Sequence, residues 1–325
     1  AIPREMKSKI LLIGRNGQVG TELSSLLPRL GELAALNRQE LDLTKPDDIR
    51  RTIREVRPQW IINAAAYTAV DQAEQDEATA RAVNELAPAV IAEEAKTIGA
   101  GLVHYSTDYV FDGSKKSPYE ETDTPKPINV YGKTKLGGER AIQESGALHL
   151  IFRTEWVYAT QGRNFLMTIL RLATQKQELR VVADQIGSPT TSREVAAATV
   201  KIISQLMDKE EGVRSLSTSG GIYNMTAEGE TSWYEFAKAI LSEASSANCT
   251  VPWVDAATKG MPFLVGRIVP ITTAEYSTPA RRPAYSVLST ALLHDRFGVR
   301  LPPWRAQLQS LFVPEPPSTG HATFL

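Results

Sequence analysis

Lys9-Ile10-Leu11-Leu12-Ile13-Gly14-Arg15-Asn16-Gly17-Gln18-Val19-Gly20-Thr21-Glu22-Leu23 is the stretch that decides the fold. A short, nearly continuous apolar run is what a strand buried on both faces of a parallel sheet looks like. Three glycines follow it in GxxGxxG spacing, and Thr21 to Leu27 then reads as a helix. Glycines at such a junction allow a tight turn and let the backbone approach a pyrophosphate closely, while the helix directs its positive N-terminal end at the phosphate charge. Gly14, Gly17 and Gly20 are therefore candidate cofactor-binding positions. GxxGxxG alone also serves as a plain strand-to-helix turn, so the rest of the chain has to decide.

Outward from this stretch, short β-branched or apolar runs alternate with helix-period segments through the first 155 residues, the pattern of βαβ units around a parallel sheet. The predicted strands are Lys9 to Ile13, Glu32 to Leu36, Trp60 to Ala64, Gly101 to Ser106 and His149 to Arg153, each apolar enough to be buried on both faces. After Trp156 the rhythm gives way to mixed elements richer in proline, which read as a substrate-binding cap. Ile222 to Met225 is again strand-like and predicts a return to the first sheet. The expected fold is α/β, a Rossmann-type doubly wound parallel sheet with a smaller α/β C-terminal substrate-binding domain. Its nucleotide-binding part spans 6–155 and is completed by 195–226. The cap takes 156–194 and 227–313, and 314–325, rich in Pro, Ser and Gly, is expected to be disordered.

The composition fits this reading and removes several function classes. The chain has 325 residues, 42% hydrophobic and 22% charged, enough for a large core and about two domains. Its 36 Lys and Arg against 37 Asp and Glu leave no charge excess to attract nucleic acid or an anionic membrane, so neither is expected as a partner. Cys249, the only cysteine, forms no internal disulfide and offers no cysteine-rich zinc site. With no apolar signal region ahead of Lys9 and no run long enough to span a bilayer, the expected location is the cytoplasm. Met6 reads as the natural start, with residues 1 to 5 an extension ahead of it.

In NAD-preferring sites an acidic residue ends the second strand and accepts hydrogen bonds from the adenosine ribose. Here Asn37-Arg38 stands in that place. A carboxylate would repel a 2′-phosphate, whereas Arg38, or Arg15 within the loop, can pair with one. Two surface arginines would look the same, so the cofactor is read as NADPH or NADH. Asp42-Leu43 follows and is placed beside the adenine.

Tyr131-Gly132-Lys133-Thr134-Lys135 sets a tyrosine and a lysine four apart, on one face of a helix. A phenol titrates near 10, and an ammonium held beside it favours the phenolate, so Lys135 is expected to lower the Tyr131 pKa toward neutrality. The pair follows Ser106-Thr107, at the carboxyl end of a predicted buried strand where doubly wound folds bind their ligands. Thr107 can hydrogen-bond the same carbonyl oxygen as Tyr131. The expected chemistry is carbonyl reduction, with Thr107, Tyr131 and Lys135 as the catalytic residues.

With these elements in place the sequence resembles the extended short-chain dehydrogenase/reductases, and within them the dTDP-4-dehydrorhamnose reductase family, over most of its length. The segments that carry the resemblance are Gly14 to Leu23, Ile62 to Asp71, Tyr105 to Gly113, Asn129 to Lys135 and Phe152 to Tyr158. Asp184 to Thr190 and Arg281 to Tyr285 extend it into the cap. The resemblance implies that Gly17, Gln18 and Val19 line the cofactor phosphates, that Asp42 and Leu43 lie near the adenine, and that Ala66, Tyr67, Thr68 and Tyr105 line the rest of the cofactor. Tyr131 would donate the proton, while Lys135 binds the nicotinamide ribose and tunes Tyr131. Asp108 and Trp156 match substrate-contacting positions, with Val70, Asp71 and Tyr109 beside them. The implied reaction is reduction of the C4 ketone of dTDP-6-deoxy-L-lyxo-4-hexulose, with a dTDP-sugar as the partner.

The family is also described as dimeric, with a magnesium ion held by acidic side chains near the interface. Glu22 and Glu194 match two such positions, but Arg305 stands where a third acid would follow Trp304, and a cation there repels a metal. Neither the magnesium nor the homodimer is therefore carried over with the rest, and no metal ligand is assigned. None of His104, His149, His294 and His321 shows a paired ligand spacing. Among rivals on the same fold, a dTDP-glucose dehydratase has an Asp-Glu pair after the threonine, whereas here Asp108 precedes Tyr109. A 4-epimerase recycles a tightly bound NAD, which Asn37 in place of an acid disfavours. From another class, the regulatory β-subunit of methionine adenosyltransferase binds the cofactor without turnover, and an intact Thr107, Tyr131, Lys135 and Trp156 argue for catalysis instead.

Overall fold

The computed structural model describes residues 8–246 and 251–313. Met6, Cys249 and the tail from Pro314 lie outside the described residues. Six strands form one parallel sheet: β1 (Lys9–Ile13), β2 (Glu32–Leu36), β3 (Trp60–Asn63), β4 (Gly101–Thr107), β5 (His149–Thr154) and β6 (Gly221–Asn224). Their spatial order is β6-β5-β4-β3-β1-β2, every neighbouring pair parallel. The sequence-predicted strands stand where expected, and the late strand-like run pairs with β5 at the sheet's far edge. One expectation fails: β2 is only half-buried, because it closes the opposite edge and has a neighbour on one side alone.

Alternate residues of each inner strand enter opposite apolar layers, as the period of two dictates. Ile10, Leu12, Ile62, Val103, Leu150 and Phe152 meet Leu23 of helix α1 (Gln18–Leu26) on one face. Leu11, Ile13, Ile61, Leu102 and Ile151 face the other way. They meet Ile49 and Ile53 of α2 (Pro46–Val56), Ile91 of α3 (Ala87–Ile98) and Ile142 of α4 (Val130–Ser145). Farther along, α5 (Phe165–Ala173) belongs to a second layer, whereas α6 (Ser192–Met207) returns Val195, Ile202, Ile203 and Leu206 to the first face. Leu293, Phe297, Val299 and Leu301, far along the chain, pack into that same face.

The second layer has its own apolar cluster, with Leu166 and Leu170 from α5, Phe236 and Ile240 from α7 (Trp233–Ser246) and Leu308 from α8 (Trp304–Leu311). A two-stranded parallel ribbon, Glu178–Val182 with Arg267–Ile271, flanks it. Among the described residues no helix is long and apolar enough to cross a membrane.

The helix that carries Tyr131 is fixed at both ends and in its middle. Asn129 caps its start by accepting from Gly132 N at 2.7 Å, and Gly146 ends it in the left-handed region at φ 69°. Midway, Arg153 of β5 donates twice to Glu139, Nε to Oε1 at 2.9 Å and Nη2 to Oε2 at 2.6 Å. Both side chains are fully buried, so removing one partner strands the other's charge without water. Glu139→Ala should therefore lower stability by about 3–5 kcal/mol in chemical denaturation. A loss below ~1 kcal/mol, the range of exposed pairs, would show that the ion pair does not anchor α4.

Candidate active site

Because β1 is flanked by β2 on one side and β3 on the other, the chain switches direction across the sheet there and leaves a crevice at the carboxyl ends of the strands. A cleft of about 860 Å³ opens at this point, between the sheet and the second layer. Gly14 leads β1 into it at φ +92°, and a Cβ there would lie 2.7 Å from Ala65 N. Gly17 caps α1 without a side-chain hydrogen bond, which leaves the first N–H groups of that helix available to an anion. Gln18 and Val19 line the cleft beside it. Gly20 does not reach the wall. It is needed because a Cβ there would come within 2.0 Å of Gly14 O, so its absence of side chain lets α1 close on the loop.

Asn37, Arg38, Asp42 and Leu43 line one end of the cleft, together with Ala66, Tyr67 and Thr68. Arg15 is engaged elsewhere: Nη1 donates to Ala35 O at 3.0 Å and Nη2 pairs with Glu40 at 3.2 Å. Of the two arginines only Arg38 lines the cleft. Asn84, which sequence reasoning missed, holds the Tyr67 loop in place. Its Oδ1 accepts from Tyr67 N at 2.9 Å, and its Nδ2 donates to Tyr67 O at 3.0 Å and to Thr134 at 3.2 Å, tying that loop to α4.

Thr107, Asp108, Tyr109, Tyr131 and Lys135 meet in the middle of the cleft. Thr107 Oγ1 accepts from Tyr109 N at 3.1 Å, donates to Asp108 Oδ1 at 3.0 Å and lies beside the Tyr131 hydroxyl. The rings of Tyr109 and Tyr131 meet edge to face, with centroids 5.6 Å apart. The expected tuning of Tyr131 by Lys135 is not what the structure holds. Burial pushes the Tyr131 hydroxyl above its ordinary value, and only the Thr107 contact works against that. Lys135 Nζ instead donates to Tyr105 O at 2.6 Å and lies 3.4 Å from His104 Nε2. Tyr131 is therefore a protonated phenol, the form a proton donor requires.

His104 is buried and neutral, its pKa held well below the usual imidazole value by burial and then by Lys135. Asn63 fixes the ring: its Oδ1 accepts from Ala65 N at 3.2 Å, so its Nδ2 faces His104 Nδ1 at 3.2 Å. Tyr105 lines the cleft, but its hydroxyl is bonded to Thr199 at 2.8 Å in the core.

At the far end of the cleft, Trp156 stacks on Trp233 with centroids 3.5 Å apart and planes 9° from parallel. Trp156 takes a left-handed backbone at φ 44°, and its ring lies so close to Gly187 that a Cβ there would be 2.5 Å away. Val70 lines the cleft, whereas Asp71 turns its carboxylate to Arg282, with Nη1 at 3.0 Å and Nη2 at 2.8 Å. That pairing holds the Asp71 carboxyl below the usual range. Glu155, another residue missed in the sequence, stands buried next to Trp156. Burial first, and then the Asp108 charge, raise its carboxyl well above the ordinary value, and burial raises Asp108 as well. Asp108 and Glu155 thus follow the ends of two neighbouring strands, β4 and β5. Buried Gln18 Oε1, Ser106 Oγ, Asp108 Oδ2 and Glu155 Oε1 have no hydrogen-bond partner among the described residues, as suits the wall of a ligand site.

Cations stand at or beside two of the three positions matched to the magnesium site. Glu22 is faced by Arg193, Arg305 lies over the Trp304 ring at 5.6 Å, and among the described residues no three His, Cys, Asp or Glu side chains cluster.

Burial brings the Lys135 ammonium down to about 8, while the unfolded chain holds that proton to about 10.4. The unfolded state therefore binds more protons between those values, and stability should rise with pH across that window by at most roughly 3 kcal/mol. Lys135→Met should lack this increment. Parallel stability–pH curves for the two proteins would contradict the buried, depressed amine.

The family model described as the RmlD substrate binding domain matches residues 8–315. A dTDP-4-dehydrorhamnose reductase of Burkholderia thailandensis is 48% identical over 297 residues, covering 91% of this chain and 95% of that protein. The enzyme of that name from Escherichia coli K12 is 40% identical, covering 93% and 96%. Among solved structures, a dTDP-4-dehydrorhamnose reductase of Bacillus anthracis in complex with NADP superposes with a TM-score of 0.81 at 34% identity, covering 94% of this chain and 99% of that one. A UDP-glucose 4-epimerase of Thermus thermophilus in complex with NAD reaches a TM-score of 0.68 at 20% identity, a likeness of fold alone.

Proposed function

The chain belongs to the RmlD substrate binding domain family, and on that premise we propose that it reduces the C4 ketone of dTDP-4-dehydro-6-deoxy-L-mannose (dTDP-6-deoxy-L-lyxo-4-hexulose) to dTDP-L-rhamnose with NAD(P)H. The observation that carries the mechanism is a half-buried, protonated Tyr131 beside Thr107 in the same cleft as the Gly14–Gly17 cradle. The cradle fits a dinucleotide: a close backbone turn at β1, free N–H groups at the start of α1, and Arg38 at the end where a 2′-phosphate would lie. The reduced nicotinamide, when bound, supplies the hydride.

Thr107 and Tyr131 orient the ketone oxygen, and the Tyr131 hydroxyl gives its proton to the alkoxide that develops there. Lys135 serves the ribose side of the nicotinamide and adds positive charge beneath the site, held by Tyr105 O. Asp108, Tyr109, Val70 and Trp156 bound the sugar end. Asp71 acts one step removed, through its ion pair with Arg282. The cleft is a small-molecule site; nucleic acid has no place in this reading.

Tyr131→Phe should keep NADPH affinity within about twofold while turnover falls by roughly 10²–10⁴, the usual worth of a positioned proton donor. Near-native NADPH oxidation with the 4-keto sugar nucleotide would remove Tyr131 from the mechanism. Arg38→Ala should weaken NADPH about 10-fold or more, the worth of a charged hydrogen bond, and leave NADH nearly unaffected. Equal weakening of both in a binding titration would place the 2′-phosphate elsewhere.

A further inference from the structure

Glu155 is 1% exposed, Asp108 is 2% exposed, and both line the cleft. Two carboxylates buried together repel each other, so such a pair is stable only when it keeps a proton. Ser286 stands beside them: its hydroxyl donates to Glu155 Oε2 at 3.2 Å and lies near enough to Asp108 to lower the pKa of its carboxyl. The chain of contacts runs on: Asp108 Oδ1 accepts from Thr107 Oγ1 at 3.0 Å, and Thr107 in turn lies close enough to the Tyr131 hydroxyl to lower its pKa. Asp108 Oδ2 and Glu155 Oε1 have no partner among the described residues, so each has room for a proton.

The polarity of this chain depends on the pair. An ionised Asp108 accepts the Thr107 proton and draws it away from Tyr131. A protonated Asp108 donates to Thr107, and Thr107 can then donate to Tyr131. From this geometry we infer that Asp108 and Glu155 share a proton that restores Tyr131 through Thr107 after each turnover, with Glu155 the positioning residue that keeps it there.

This rests on the proposed reduction. The substrate C4 gains hydride and the C=O π bond opens, while the oxygen takes the Tyr131 proton. Tyr131 recovers a proton from the Thr107 hydroxyl and Thr107 from the Asp108 carboxyl, and solvent replaces the pair's proton after product leaves.

Other titratable groups also face the pair. Tyr109 and Tyr131 lie beside Asp108, and Arg282, tied to Asp71, lies beyond Tyr109. Tyr285, bonded to Glu230, faces Glu155, as does Ser188. Lys135 is directed at Tyr105 O instead. All of them remain in a Glu155→Gln variant, so a difference from the unaltered protein isolates the shared proton.

The test compares kcat against pH for the unaltered protein, Glu155→Gln and Glu155→Asp, following NADPH oxidation with saturating 4-keto sugar nucleotide. Without its carboxylate neighbour Asp108 loses its proton at lower pH. The alkaline limb of Glu155→Gln should therefore move to lower pH by about one unit, since one unit is a tenfold change in proton affinity. Its deficit should grow about tenfold up the limb, and Glu155→Asp should move the limb part of the way back. Profiles that differ by a constant factor, or not at all, overturn the relay. If Glu155→Gln does not fold, Ser286→Ala, which keeps both carboxyls and removes the hydroxyl bonded to Glu155, is read in the same way.

A second readout needs no turnover. The infrared spectrum of the cofactor-free protein at neutral pH should contain a protonated-carboxyl band that Glu155→Gln shifts or abolishes, and its absence overturns the shared proton. An unaltered protein that shows this band but does not reduce the 4-keto sugar would refute the proposed reaction and, with it, the relay. A reducing enzyme without the band would refute the relay alone.

Discussion

The reversal of chain direction on either side of β1 is the constraint on which everything else depends. Strands laid down in parallel leave their carboxyl ends at one edge, and helices that cross on opposite faces cannot cover that edge where β1 meets β3. Gly14, Thr107 and the residues after β5 are brought together for that reason, although they are about 140 positions apart along the chain. The buried Glu139–Arg153 pair then fixes the distance from β5 to α4, and so the height at which Tyr131 enters the cleft.

Much of this could be read from the sequence because parallel strands buried on both faces leave an unbroken apolar signature. The starts of β1 to β5 stand at the residues where the apolar runs begin, and the late run before Met225 does join the sheet. The exception, β2, has the same composition as its neighbours, and no local pattern distinguishes an edge strand from a central one. In the site, glycine spacing and the Tyr131–Lys135 interval could be read because each depends on a local geometry. Trp233, Ser286 and Asn84 could not, since each meets the residues of the site only through packing between distant elements. Glu155 lay in plain sight between a buried strand and Trp156. An acid in such an apolar setting is itself a signal.

The electrostatics of the site also differ from what spacing suggested. A lysine one helical turn from a tyrosine implies a phenolate, but that inference ignores how much water the fold removes. Burial disfavours charge around the reaction centre: Tyr131 keeps its proton, His104 stays neutral, Lys135 holds its own less tightly, and the two carboxyls resist ionising. A reaction that passes one proton to an oxygen while hydride arrives is served by such a site, because its groups act as hydrogen-bond donors rather than as fixed ions.

The stack of Trp156 on Trp233 joins the two layers of the molecule, one indole rising from the end of β5 and the other from the start of α7. Any opening of the cleft that carries α7 away from the sheet must slide these rings apart. Their overlap is sensitive to displacements of an ångström or two, so the chain carries a gauge of its own opening in the absorption and emission of two native indoles, legible without an attached label.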